Sequence, residues 1–187
     1  MNPIGPEAAD EDIIARVLDG DTDAFSVLVR RYQRRVLRLG YGFLKDADAA
    51  EDFSQDGFVK AYVGLAGFQG RSSFSTWLTR IAYNAGINAT RNAGRYEALD
   101  SDPVDTRSLS PEDEHIRAET AAALRRAMAA LPEKYAVCLD LYFRDGMRYE
   151  DIGIATGFPV NTIKSHVFRA KRDLRKALCA EETRNDL

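Results

Sequence analysis

The side chains of this sequence that could do chemistry are basic and hydroxyl-bearing rather than nucleophilic or metal-binding. The two cysteines, Cys138 and Cys179, lie 41 positions apart, and the 187 residues include only two histidines. No CxxC occurs, so the spacing supports neither a zinc site nor a disulfide framework. No nucleophile, base and orienting group occur together. We therefore expect no enzyme activity, no metal, no cofactor and no small-molecule substrate, and two thiols in a reducing compartment.

Basic side chains are concentrated in three stretches, which a net charge of only -3 conceals. Residues 25–45 hold six bases and no acid, residues 63–96 hold four arginines and no acid, and residues 163–178 hold six bases against Asp173. Segregated charge of this kind suits partners of opposite sign, and it favours a polyanion such as nucleic acid. A solvated helix face is the alternative interpretation of any single stretch.

The last basic stretch has the pattern of a DNA-binding motif. A helix at about 149–156, a turn at Gly157-Phe158 and a longer basic helix at about 159–178 predict a helix-turn-helix. The second helix of this motif lies in the major groove with its first turns at the base edges. Asn161 is expected to cap that helix, and Ile163 and Val167 are expected to face the core. The residues on it that we assign to DNA are Thr162, Lys164, Ser165, His166, Phe168, Arg169, Lys171 and Arg172.

The elements that must position these residues are all helical. Apolar residues recur every three or four positions over about 25–43, 48–65, 73–93, 113–130 and 133–144, and strand-like alternation is absent. Ser72 or Ser73 is expected to cap the helix at 73–93, in which Trp77 lies on the apolar stripe. Gly86 interrupts the middle of that helix at a cost of about 1 kcal/mol. Tyr62 is expected to face inward.

An acidic segment divides the chain. Residues 97–115 hold seven acids, two prolines and three serines. A segment of this composition has too few apolar side chains to bury the surface that would stabilise a folded structure. We therefore predict an all-α protein with a helical domain at 1–96, a flexible acidic linker at 97–113 and a second helical domain at 114–187. No apolar run approaches the roughly 18 residues of a membrane helix. The acidic N-terminus does not have the pattern of a secretory signal, so we expect a cytoplasmic protein without membrane insertion.

From about residue 21 to 178 the chain resembles bacterial sigma factors of the extracytoplasmic-function (ECF) group in the sigma-70 family. The resemblance rests on DADAAEDFSQDGFVKAY (46–62), FQGRSSFSTWLTRIAYNAGINATR (68–91) and the stretch from LPEKYAV to RKAL (131–178). It implies two helical domains, called region 2 and region 4, that bind core RNA polymerase, recognise the minus-ten and minus-thirty-five promoter elements and help to open the duplex. It implies no active site, because the polymerase performs the reaction.

The resemblance also implies roles for residues of the first domain. Asp52, Gln55 and Asp56 match the part of region 2 that docks on the clamp helices of the polymerase beta-prime subunit. The loop that matches the pocket for a base flipped out of the non-template strand consists of Phe68, Gln69, Gly70, Arg71, Ser72 and Ser73. The positions that match the face turned to the minus-ten element, with a tyrosine able to stack on a base, are Arg80, Tyr83, Asn84, Asn88 and Arg91.

Further expected partners are the polymerase beta flap, promoter DNA and an anti-sigma factor. The sequence departs from the family pattern at Asn88, where many relatives carry aspartate, at Asn161, where many carry glycine, and at His166, where arginine is frequent. Two other functions stay open at this point. One is a sigma mimic that only sequesters an anti-sigma factor, and the other is a plain helix-turn-helix regulator, which would not need the Asp52, Gln55 and Asp56 face.

Overall fold

The protein is described by a computed structural model that covers residues 7–92 and 122–185. Side chains are described for residues 7–91 and 122–180. The described residues contain helices and no β-strand, which confirms the all-α prediction for this part of the chain. They divide into two compact units, the first with the helices up to Asn92 and the second with most of the helical residues from 122 onward. The predicted linker at 97–113 lies outside the described residues. None of the described helices is long and apolar enough to span a membrane.

Four helices build the first unit. They are α1 (Asp10–Leu18), α2 (Phe25–Leu44), α3 (Ala47–Gly64) and α4 (Phe74–Asn92), with 3-10 turns at Thr22–Ala24 and Leu65–Gly67. Helix α2 packs against both α3 and α4, so its apolar stripe supplies the centre of the core. The side chains that close this core are fully buried: Ile13, Leu28, Val36, Leu65, Phe74 and Leu78.

Two glycines let these helices approach closely. A Cβ on Gly86 of α4 would lie 2.2 Å from the ring of Phe43 on α2, and a Cβ on Gly40 of α2 would lie 2.6 Å from the ring of Phe53 on α3. Real Cβ atoms do not come this near to a ring. At each glycine, an aromatic ring of the neighbouring helix therefore occupies the space that a Cβ would need. The ring of Phe43 therefore explains why a residue that weakens a helix stands in the middle of α4.

The described residues from 122 onward contain the predicted helix-turn-helix. Their helices are α5 (122–129), α6 (Glu133–Phe143), α7 (Tyr149–Thr156) and α8 (Val160–Asn185). The remainder of the helix predicted at 113–130 lies outside the described residues, and α8 runs beyond the predicted end at 178. Gly157 has φ +79°, a conformation that suits glycine, and Ile163 and Val167 are buried as predicted.

The turn of this motif is tight on its inner side as well. A Cβ on Gly153 would lie 3.2 Å from the carbonyl oxygen of Phe158. The carbonyl of Pro159 accepts hydrogen bonds from the backbone N–H groups of Thr162 and Ile163. Helix α8 thus begins one residue before Asn161, and the prediction that Asn161 caps it is wrong.

Candidate nucleic-acid interfaces

The loop 68–73 is anchored at its start by an aromatic cluster. The half-buried ring of Phe68 lies 5.2 Å from the ring of Trp77 and 6.0 Å from that of Phe74, measured between centroids. Trp77 therefore packs within the unit, as its place on the apolar stripe predicted. The assignment of Phe68 to the base pocket stays a prediction, and the contacts of its ring hold the start of the loop in place.

Ser73 anchors the other end of the loop. Its hydroxyl accepts a hydrogen bond of 3.1 Å from the backbone N–H of Thr76 and so caps α4, as predicted. Between the two anchors, Gln69, Gly70 and Arg71 are exposed, and Gly70 has φ +65°. The loop thus presents an amide, a guanidinium and open backbone between fixed ends, while half-buried Ser72 directs its hydroxyl to the carbonyl of Ser73.

Helix α4 carries an exposed polar face beside this loop. Four polar residues spaced by four, four and three positions lie on one side of this helix, and all are exposed: Arg80, Asn84, Asn88 and Arg91. Tyr83 does not belong to this face. Its side chain is 4% exposed and its ring lies 5.7 Å from that of Phe43, so the prediction that it stacks on a base is wrong: a residue next to Asn84 points about 100° away, toward α2.

Helix α3 presents an acidic face that continues as an apolar one. Asp52, Gln55 and Asp56 are exposed, and Val59 and Val63 extend the same stripe at 61% and 77% exposure. Sequence reasoning missed the two valines, although their position off the buried stripe of α3 is visible in the periodicity. A surface with carboxylates at one end and aliphatic groups at the other is suited to a basic, amphipathic helical partner.

Tyr62 lies between these valines and the core. It was expected to face inward, but its side chain is 41% exposed while its ring packs 5.1 Å from that of Phe25.

The first turns of α8 expose a basic surface. Lys164, Ser165, Arg169, Lys171 and Arg172 are exposed, Phe168 is 69% exposed and Thr162 is half-buried. The hydroxyl of Ser165 donates a hydrogen bond of 2.9 Å to the carbonyl of Asn161 in its own helix. The opposite face of α8 is apolar and buried, with Ile163, Val167 and Ala170. The basic face therefore points to solvent.

Aromatic side chains of α6 and α7 lie beneath the basic ones. The Lys164 ammonium is 5.8 Å from the Tyr149 ring centroid, and the Lys171 ammonium is 5.3 Å from that of Phe143. The Tyr149 ring is itself stacked on that of Tyr142, with 4.6 Å between centroids. Cations over aromatic faces are attracted to them, which restricts where the two lysines can extend.

The Arg169 guanidinium is held by a hydrogen bond. Its Nη1 donates to the hydroxyl oxygen of Tyr135 on α6 over 3.1 Å. That bond is the main reason why the pKa of Arg169 lies above its usual value.

His166 differs from its neighbours on α8. Its half-buried imidazole lies 5.1 Å from the Tyr135 ring and 5.2 Å from the Phe158 ring, and Nδ1 is 3.7 Å from the sulfur of buried Cys138. Burial first, and then the charges of Lys134 and Arg169, lower the pKa of His166. The DNA contact of His166 stays a prediction: the ring packs partly in the unit, and the lowered pKa favours its neutral form near pH 7.

Comparison with known proteins gives matches to both units. The family model of Sigma-70 region 2 matches residues 28–96, and that of Sigma-70, region 4 matches residues 121–174. The chain is 37% identical to the RNA polymerase sigma-H factor of Pseudomonas aeruginosa over 90% of this chain and 93% of that protein. It is 32% identical to the ECF RNA polymerase sigma factor SigW of Bacillus subtilis over 88% of this chain and 94% of that protein.

A solved structure shares the fold. The sigma factor RpoE of Bartonella quintana, solved in complex with the anti-sigma factor NepR, matches with a TM-score of 0.68 at 24% identity, covering 82% of this chain and 96% of that chain.

Proposed function

The chain belongs to the ECF group of the sigma-70 family, and from that membership we propose that it binds core RNA polymerase, directs it to promoters and helps to open the duplex. The observation that carries the proposal is the polarity of α8, whose buried side fixes it on its unit and whose exposed side is basic. In this assignment residues 1–96 act as region 2, residues 97–113 as the linker and residues 114–187 as region 4.

The first unit is proposed to hold the minus-ten element. An unstacked base enters the loop at Gln69, Gly70 and Arg71, where an amide and open backbone groups can bond its Watson-Crick edge. The exposed face of α4 lies beside the loop and contacts the strand, with Arg80 and Arg91 on phosphates. Asn84 and Asn88 offer both a donor and an acceptor to base edges.

The second unit is proposed to hold the minus-thirty-five element. Helix α8 enters the major groove, where Lys164 and Arg169 donate to acceptors on base edges and Phe168 makes apolar contacts. Lys171 and Arg172 lie further along the helix and bind phosphates.

The polymerase is proposed to dock on the acidic face of α3. Asp52, Gln55 and Asp56 contact the beta-prime clamp helices, and the exposed Val59 and Val63 add apolar area to the same contact. Region 4 contacts the beta flap. An anti-sigma factor that covers these faces in the cytoplasm is the proposed regulator, since the α3 face and the α8 face are both exposed in the described structure.

Two double variants test the division of labour. Lys164→Ala with Arg169→Ala should weaken binding of the holoenzyme to the upstream element by about 1–3 kcal/mol per lost base contact and leave core binding intact. Gln55→Ala with Asp56→Ala should reduce core binding in a pull-down. Arg175→Ala with Lys176→Ala is the matched control, because it removes the same charge from exposed positions later in α8.

Run-off transcription with core polymerase and a promoter library gives the functional readout. Equal loss of core binding in the first two variants would contradict the assignment. Tight, sequence-specific binding of a promoter by the free protein would support the plain regulator instead. Absence of both core binding and a promoter-dependent transcript would support the sigma mimic.

A further inference from the structure

Tyr135 lies behind the base-reading side of α8 rather than on it. Its ring is half-buried and rests on the ring of His166, 5.1 Å away between centroids. Its hydroxyl oxygen reaches past that ring and accepts the hydrogen bond from Nη1 of Arg169. Tyr135 is thus a residue of α6 whose hydroxyl contacts a side chain on the exposed face of α8.

This arrangement restricts a side chain that is otherwise free to move. Arg169 is exposed, and an exposed arginine loses rotamer entropy when it is fixed on a base. A bond to a single Nη1 hydrogen leaves the Nε and Nη2 donors, which share one edge of the guanidinium, for a bidentate contact with guanine. The contact with His166 in turn restricts the Tyr135 ring, because the imidazole lies between that ring and Phe158 with one nitrogen near Cys138.

We propose that Tyr135 is a positioning residue for promoter recognition, whose hydroxyl orients the Arg169 guanidinium toward its base pair before DNA arrives. The inference rests on the proposed role of α8 in reading the minus-thirty-five element. It predicts that Tyr135 contributes to base selectivity without touching the base. The hydroxyl contributes selectivity at the base pair that Arg169 contacts and at no other.

Tyr135→Phe tests the proposal, because it removes the hydroxyl and keeps the ring that packs against His166. Holoenzyme carrying this variant should bind the preferred promoter about threefold to tenfold more weakly, the range expected for one ordinary hydrogen bond. Promoters altered one base pair at a time should show that discrimination falls at a single position, the one at which Arg169→Ala also loses discrimination. Tyr142→Phe is the matched comparison: Tyr142 lies on the same helix and stacks on Tyr149 beneath Lys164, so any loss of discrimination should fall at a position other than that of Arg169.

A double-mutant cycle separates the two roles that Tyr135 could have. If the hydroxyl acts through Arg169, Tyr135→Phe should have no further effect on promoter binding in the Arg169→Ala background. An equal loss in both backgrounds, or a loss spread over all promoter positions, would overturn the positioning role and leave the proposed function standing. If Arg169→Ala itself leaves discrimination unchanged at every position, the assignment of Arg169 to a base edge fails together with the role of Tyr135.

Discussion

Gly86→Ala should destabilise the first unit although alanine is the better helix former. The added Cβ would lie 2.2, 2.4 and 2.6 Å from three atoms of the Phe43 ring. That ring is 6% exposed, and the ring of Tyr83 lies 5.7 Å away, so it has no open space into which to turn. Overpacking of this kind costs about 1–3 kcal/mol, and helix propensity returns up to about 1 kcal/mol. At distances this short we expect the overpacking cost in the upper part of its range, about 2–3 kcal/mol, and so a net loss of about 1–2 kcal/mol.

Trp77 makes the measurement specific. It is the only tryptophan of the chain and lies on α4, so urea unfolding followed by its fluorescence reports on the first unit. Gly42→Ala is the control: Gly42 lies on α2 and its Cβ would meet nothing within 4 Å, so we expect a gain of about 0.5–1 kcal/mol.

Phe43→Leu should destabilise the Gly86→Ala variant less than it destabilises the natural chain, because it removes the atoms in conflict. A Gly86→Ala variant as stable as the natural chain, or shifted in the same direction as Gly42→Ala, would refute the reasoning.

Three further predictions concern a pH dependence, a cap and salt. The pKa of His166 is lowered below 6.5 in the folded protein, so the unfolded chain binds that proton more tightly. The free energy of unfolding should therefore be highest above about pH 6.5 and fall on acidification. His166→Gln should reduce this pH dependence in urea titrations between about pH 7.5 and 5.5. Ser73→Ala should remove the α4 cap and cost about 0.5–2 kcal/mol by Trp77 fluorescence, against a small effect of Ser72→Ala. Promoter binding by the holoenzyme should weaken steeply with salt, whereas the free protein should bind duplex DNA weakly in the same titration.

The helix-turn-helix could be predicted from sequence because its signals are local. Gly157 stands between two apolar patterns, and Ile163 and Val167 recur at helical spacing before a run of bases. Apolar residues that recur with the helical period of about 3.6 residues indicate the buried face of a helix, even when the helices that pack against it are not known. The acidic face of α3 came from the family resemblance, and its exposure agrees with the spacing of its residues.

Residues that fit either side of a helix could not be placed in this way. Tyr83 and His166 each combine an apolar ring with a polar atom, so only their neighbours decide their position. Phe43 buries the first, and Tyr135 and Cys138 enclose the second, all from helices distant in sequence.

Helix α1 was not predicted for a related reason. It has only nine residues, and Asp10 at its start accepts hydrogen bonds from Arg31 and Tyr32 of α2. Helices this short are marginal by themselves, so partners more than 20 positions away decide whether α1 forms.

The aromatic support beneath α8 bears on how such a chain diversifies after gene duplication. Lys164, Arg169 and Lys171 each rest on a ring or hydroxyl from another helix, so a change there disturbs two elements. Ser165 and Phe168 are exposed, and surface changes away from such contacts alter stability by only about 0.5 kcal/mol. Under the proposed function, copies of the gene should therefore change first at Ser165 and Phe168 and acquire new promoter preferences, while Lys164, Arg169 and Lys171 are retained.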